Sequence, residues 1–309
     1  MNNPLTKKSM NRRFNDIMKK CIKVISMAIA ILVLAGCANQ SPKPELSENS
    51  LKESGMKLSI PKAGDVGKTA TNKSGRTTSS KVVTNKEKKL LEGLTICIDA
   101  GHGKTTKSTN KKEPIAPNSK ILKAAVASGT SGVYTKISEE SLNLTISEKL
   151  KKELSDKGAK IIMIRETSKC DLTNVERTKL WNSSGADFTI RIHGNGINDS
   201  KVSGVLMMVP GDKYIKDKDM LSKSAQAGQY ILAGVLKYTK AKSRGTVKST
   251  DLTGFNWSKI PVVLLEMGFM TNPQEDKLLS TDSYQNKIVA GIVEGVEKYQ
   301  SYLMKVKTE

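Results

Sequence analysis

From about residue 89 the chain alternates short apolar runs with longer amphipathic stretches, and this alternation limits the fold more than any other feature. The run 94–98 reads as a strand, as do 160–165, 187–192, 205–209 and 260–266. Between and after them lie helical segments. In 139–157, Leu142, Ile146, Leu150 and Leu154 fall on one stripe at four-residue spacing. Ser138 is expected to cap that helix, Glu139 and Glu140 occupy its first turn, and Gly158 ends it. Further helices are expected over 173–183, 217–239 and 283–303. Strands separated by helices predict an α/β fold, a single mostly parallel twisted sheet with helices on both faces. No internal repeat is present.

The segment before residue 89 has a different character. Residues 1–36 carry seven basic residues and one acid, and residues 24–35 form an apolar stretch of twelve. That length is too short to span a bilayer as a helix and suits the core of a signal peptide. It closes with Leu34-Ala35-Gly36-Cys37, which resembles the bacterial lipobox. The resemblance implies cleavage before Cys37 and lipidation of its thiol. The competing reading is an uncleaved membrane anchor, and either one exports the rest of the chain. Residues 37–88 read as a flexible tether, because 38–88 contain no aromatic residue and are rich in Ser, Thr, Lys, Asn, Pro and Gly. The expected organisation is therefore a signal over 1–36, a tether over 37–88 and a catalytic domain over 89–309. The expected location is the outer face of a bacterial cell membrane, facing the wall and held by a lipid anchor.

The formal net charge is +21, of which the signal contributes six. Such an excess favours an anionic partner. Nucleic acid is not expected, since the chain has four Phe, seven Tyr and two Trp and no stacking motif or recognition-helix signature. Anionic cell-wall polymers or a membrane surface fit an exported protein better. The compartment permits a Cys97–Cys170 disulfide, whose formation the sequence leaves open.

The chain has only two histidines, and both follow apolar β-prone runs and precede glycine. His102 lies in Ile98-Asp99-Ala100-Gly101-His102-Gly103, and His193 in Arg191-Ile192-His193-Gly194-Asn195-Gly196. Ligand sites in open α/β sheets form at the carboxyl ends of strands. A catalytic zinc usually takes three protein ligands and keeps one position open. Two imidazoles therefore need a carboxylate, for which Glu139, Glu140 and Glu266 are candidates. A further carboxylate is needed to move protons. Spacing alone does not assign these roles, and each histidine can equally be a hydrogen-bonded turn residue.

The two histidine segments are followed by 261–273, Pro-Val-Val-Leu-Leu-Glu-Met-Gly-Phe-Met-Thr-Asn-Pro. In this order the three resemble the zinc-dependent N-acetylmuramoyl-L-alanine amidases of the amidase-3 type, over roughly residues 93–300. Segments 113–117, 127–132, 174–177 and 254–257 match a subgroup with a long insertion after the first histidine. The resemblance implies that His102, Glu139 and His193 bind Zn2+ and that Glu266 is the catalytic carboxylate. Glu139 is preferred to Glu140 because it stands four residues before Asn143-Leu144. Asn195, Asn256 and Trp257 are the expected substrate contacts, although Trp257 can equally pack against the sheet.

The implied reaction is hydrolysis of the amide joining N-acetylmuramic acid to the stem-peptide L-alanine of peptidoglycan, with zinc-activated water. Other zinc-dependent wall peptidases or deacetylases would need the same ligands, and a catalytically idle wall-binding lipoprotein is the competitor from another class. Two departures stand out. Lys104 replaces a frequent glycine and is expected to be solvated. Arg191 replaces a frequent serine and is expected to be buried with an acidic partner. The insertion 104–137 is expected either to wall a substrate groove or to form a mobile surface loop.

Overall fold

Side-chain alternation along the strands divides the protein into two unequal layers. The computed structural model describes residues 89–104 and 110–306. The chain divides into units 1–79 and 80–309, and all described residues belong to the second. The expected signal, the tether and Cys37 lie outside the described residues.

The strands are β1 (Thr95–Ala100), β2 (Lys112–Pro114), β3 (Leu122–Ala124), β4 (Lys160–Met163), β5 (Phe188–Asn195), β6 (Val205–Pro210), β7 (Ser243–Ser249) and β8 (Val262–Phe269). The helices are α1 (Glu139–Asp156), α2 (Asn174–Ser183), α3 (Lys218–Thr239), α4 (Thr253–Asn256), α5 (Pro273–Leu279) and α6 (Asp282–Val306). Six strands form one sheet in the order β4-β1-β5-β8-β6-β7. Strands β4, β1, β5 and β8 run parallel. Strand β6 runs antiparallel to β8 and carries β7 parallel to itself at the edge. The mostly parallel α/β sheet expected from the sequence is therefore present, with one reversal.

On one face, Ile96 and Ile98 of β1, Phe188, Ile190 and Ile192 of β5, and Val263, Leu265 and Met267 of β8 join the main core. The helices α1, α3 and α6 cover them. The predicted stripe of α1 enters this core intact, with Leu142, Ile146, Leu150 and Leu154 all buried. Because strand side chains alternate between faces, the intervening residues Cys97, Asp99, Thr189, Arg191, His193, Val262, Leu264 and Glu266 point to the other face. Smaller clusters there gather Trp181 of α2 and Phe255 of α4. The thick layer supplies apolar burial, and the thin layer leaves room for polar groups.

Several expectations are corrected. Strand β5 extends to Asn195, so His193 lies within it rather than after it, and β8 continues to Phe269, so Glu266 is inside its strand rather than at its end. Ser138 occupies the N-cap position of α1 without a side-chain cap; its hydroxyl donates to Glu140 Oε1 at 3.0 Å. Gly158 does follow the end of α1, at φ +99°, in the left-handed conformation that glycine adopts without strain. Cys97 and Cys170 are both buried free thiols, so they are not paired. The insertion contributes the β2–β3 hairpin rather than a featureless loop.

Helices α3 and α6 make the most intimate contact on the thick face, and glycine sets their separation. A Cβ on Gly291 would lie 2.5 Å from Val235 Cα, and one on Gly234 only 2.1 Å from the Gly291 carbonyl oxygen. Backbone is the obstacle, so no side-chain rotation relieves the clash. Alanine is otherwise better than glycine inside a helix by about 1 kcal/mol. Gly291→Ala is therefore predicted to destabilise by about 1–3 kcal/mol despite that gain, read as a lower midpoint in urea unfolding. An unchanged or raised midpoint would contradict this close packing.

Candidate metal centre

The central strands β1, β5 and β8 bring the predicted residues together on the thin face. His193 and Glu266 are register partners on adjacent parallel strands. His102 follows β1 by two residues, and Glu139 opens α1. A ligand atom from each of His102, Glu139 and His193 lies within 4.8 Å of the others. Glu139 Oε1 stands 3.1 Å from His102 Nε2 and 3.1 Å from His193 Nδ1. Tetrahedral zinc, with bonds of about 2.0–2.2 Å, sets its ligand atoms about 3.3–3.6 Å apart. The Glu139 oxygen thus stands within a few tenths of an ångström of that spacing from one nitrogen of each imidazole.

Each of the three side chains is oriented by its surroundings. His102 Nδ1 pairs with the Ala127 carbonyl at 2.8 Å, which assigns the proton to Nδ1 and turns Nε2 toward the site. The Glu139 carboxylate accepts from Thr130 N–H at 2.9 Å, Gly194 N–H at 3.2 Å and Asn143 Nδ2 at 3.3 Å. His193 is buried, its Nε2 has no hydrogen-bond partner, and its ring packs edge-on against His102 at 4.8 Å between centroids. Glycine makes this packing possible: a Cβ on Gly101 would sit 2.3 Å from the His193 ring.

The charge states suit metal binding. Burial pushes the His193 pKa down to about 4, outweighing Glu139, so the imidazole is neutral at neutral pH. Burial alone would raise Glu139, but the two histidines hold it well below the usual carboxylate range. Glu140 is not part of the constellation; it accepts from Ser138 and faces Lys104 at 3.9 Å. Lys104 is otherwise exposed, as expected. Glu266 shares with both histidines a cavity of about 310 Å3. Its Oε2 is buried without a partner, and burial together with Glu139 pushes its pKa up to about 8.

Beneath the site lies a buried charge cluster that sequence reasoning recovered only in part. Asp99 is fully buried and pairs with Arg177 Nη1 at 2.7 Å and Arg191 Nε at 2.8 Å. The acidic partner expected for Arg191 is therefore Asp99. Arg177 also donates to the carbonyls of Ala100 and His102. Arg165 donates to Ala100 O at 2.8 Å, Gly101 O at 2.9 Å and Glu140 O at 2.7 Å. Two guanidinium groups therefore hold three successive carbonyls of the turn that presents His102. That turn requires the hold, because His102 has φ +59°, a left-handed conformation costing a non-glycine residue about 1–2 kcal/mol.

The expected substrate contacts are not all at this site. Asn195 is half-buried just beyond His193, and its Oδ1 accepts from Gly196 N–H. Asn256 is buried and donates to the carbonyls of Ile115 and Thr250. Asn256 therefore acts as a strut for the insertion through its amide nitrogen, while its Oδ1 is buried without a partner. Trp257 donates to the Pro114 carbonyl at 2.9 Å and lines a separate cavity of about 720 Å3. The insertion is tied to the site through Ala127, Gly129 and Thr130, so it is part of the site's frame.

Burial alone would raise Asp99, but Arg177 and Arg191 hold its carboxyl well below the ordinary value. Its stabilisation is thus complete above the ordinary carboxylate range and is lost as pH falls below about 4. Asp99→Asn leaves two buried guanidiniums without a countercharge and is predicted to cost about 3–5 kcal/mol at neutral pH. Denaturant unfolding at pH 7 checks this, and a loss under about 1 kcal/mol would contradict it.

Comparison with known proteins agrees with this geometry. The chain is 30% identical over 181 residues to the germination-specific N-acetylmuramoyl-L-alanine amidase of Bacillus subtilis, covering 53% of this chain and 71% of that protein. It is 25% identical over 211 residues to the probable cell wall amidase LytH of Staphylococcus epidermidis, covering 68% of this chain but only 60% of that protein. The crystal structure of an N-acetylmuramoyl-L-alanine amidase from Clostridium difficile 630 superposes with a TM-score of 0.55 at 27% identity, covering 67% of this chain and 97% of that one. The family model described as N-acetylmuramoyl-L-alanine amidase matches residues 96–298, two-thirds of the sequence, and the chain belongs to that family.

Proposed function

We propose that this protein is a zinc-dependent peptidoglycan hydrolase that cleaves the amide between N-acetylmuramic acid and the L-alanine of the stem peptide. The observation that carries the reading is the convergence of His102, Glu139 and His193 beside Glu266, in a cavity open to a ligand. His102, Glu139 and His193 would hold the metal. Zinc, when bound, supplies the Lewis acidity that activates water and polarises a carbonyl at neutral pH.

Glu266 does the proton work. It adjoins His193 across the sheet, and its free Oε2 has no protein partner to compete with water. In this reading the positive charge of a bound metal would offset the burial and Glu139 that raise its pKa and favour its ionised form, which accepts a proton from the attacking water. It then gives that proton to the alanine nitrogen, which leaves as a neutral amine rather than an anion. The apolar thick face beneath the strands holds β5 and β8 in register, so His193 and Glu266 keep their spacing during the exchange. Asn195 and Trp257 remain the proposed substrate contacts, Trp257 through its ring.

The cellular setting is also proposed from the sequence. Cys37 carries the lipid, residues 37–88 tether the domain, and the enzyme works on the outer membrane face. A tether raises the effective concentration of enzyme at the wall, and the basic surface favours anionic wall polymers.

The test is digestion of defined muropeptides by the full chain, with products identified by mass. A new amino-terminal L-alanine is expected; cleavage only between amino acids would reject the amidase reading. Glu266→Gln is predicted to lower kcat by about 10²–10⁴-fold while leaving bound zinc unchanged by elemental analysis. Loss of zinc in that variant would mean that Glu266 is a ligand and not the proton carrier.

A further inference from the structure

Arg191 has a feature that the charge cluster does not use. Its Nε donates to Asp99, but no described residue accepts a hydrogen bond from either Nη. The residue is only 5% exposed, and its head lines the same 310 Å3 cavity as His102, His193 and Glu266. It also lines a smaller recess shared with both histidines and Asn174. The unused edge of the guanidinium therefore faces the site and not bulk solvent.

That head is rigidly placed. Asp99 holds it at Nε, its Cζ lies 5.8 Å from the centre of the Trp181 ring, and a Cβ on Gly254 would come within 3.0 Å of Nη1. One carboxylate, Asp99, is shared between two guanidiniums, and Glu266 in the same cavity is the other acid that feels the Arg191 charge. A planar guanidinium with a free Nη edge matches the two oxygens of a carboxylate. Lys123 and Asp251 also line this cavity, one of each charge.

We propose that the outer edge of Arg191 is the receptor for a carboxylate on the peptide side of the substrate. The inference rests on the amidase reading for its choice of ligand. The muramyl side of the scissile amide presents hydroxyls and a neutral acetamide, whereas the peptide side carries the carboxylates. Arg191 thus makes the enzyme selective for stem peptides whose residue after L-alanine keeps a free acid. Amidation of that acid would remove the charge and one of the two acceptors.

The test compares two probes, L-alanyl-D-glutamic acid with its γ-carboxyl blocked as the N-methylamide and the same compound amidated at the α-carboxyl, by calorimetric titration of the full chain stripped of metal. The same pair is then tested as the peptide part of muramyl substrates. Wild-type protein is expected to bind the acid at least tenfold more tightly than the amide. Arg191→Ser is expected to abolish this preference, and Arg191→Lys to retain part of it. Circular dichroism and the urea midpoint identify folded variants. Equal wild-type affinity for the two probes overturns the proposal without reference to any variant. So does a preference that survives unchanged in folded Arg191→Ser. Binding preference without cleavage of either muramyl substrate would leave the Arg191 assignment standing and reject the amidase reading. Cleavage of both with equal KM and no binding preference would do the reverse.

Discussion

The buried carboxylate of Asp99 is the interaction on which the geometry of the site depends. It neutralises Arg177 and orients Arg191, two side chains that enter the thin face from α2 and β5. Arg177, so placed, joins Arg165 in gripping the turn from Ala100 to His102. Without that grip, the left-handed backbone of His102 would relax, and its ring would leave Glu139 and His193. A salt bridge of this kind adds little stability over a well-packed apolar pair. Its contribution is positional, since it converts strand register into the placement of a ligand three residues away.

A second constraint is the division of labour between the two faces of the sheet. Three long helices bury the apolar face, and this supplies most of the area removed from water. The opposite face carries two short helices and the hairpin insertion, and it can therefore accommodate Asp99, Arg191, His193 and Glu266 in alternate strand positions. His193, Glu266 and Arg191, for which metal binding, proton transfer and anion binding are proposed, are fixed by the same hydrogen-bond ladder that joins β1, β5 and β8. The insertion completes the arrangement through the Ala127 carbonyl, which fixes the His102 tautomer, and the Thr130 amide, which holds Glu139.

Much of this was legible in the sequence because it rests on local patterns. The stripe Leu142, Ile146, Leu150 and Leu154 marks α1, and apolar runs mark β1, β5, β6 and β8. The two histidines, Glu139 and Glu266 were legible through their motifs. Strand β7, Ser-Arg-Gly-Thr-Val-Lys-Ser, was not, because an exposed edge strand needs no apolar alternation. The β2–β3 hairpin was hidden for a related reason: long-range bonds hold it, from Trp257 to Pro114 and from Asn256 to Ile115. Those same bonds explain why Asn256 serves as a strut. Arg165 was missed altogether, since nothing local distinguishes an arginine bound to carbonyls sixty residues away from a solvated one. The charge of Asp99 in an otherwise apolar strand was the available clue, for such a residue must be paired.

The central claim is that His102, Glu139 and His193 form one zinc site. Zinc-edge X-ray absorption on the purified full chain tests it most directly. The account predicts about one zinc per chain, with a first shell of two imidazole nitrogens and carboxylate or water oxygen at about 2.0–2.2 Å. His193→Ala should remove one imidazole from that shell or abolish binding. A wild-type protein that takes up no zinc, or one whose zinc shell lacks imidazole, would contradict the account.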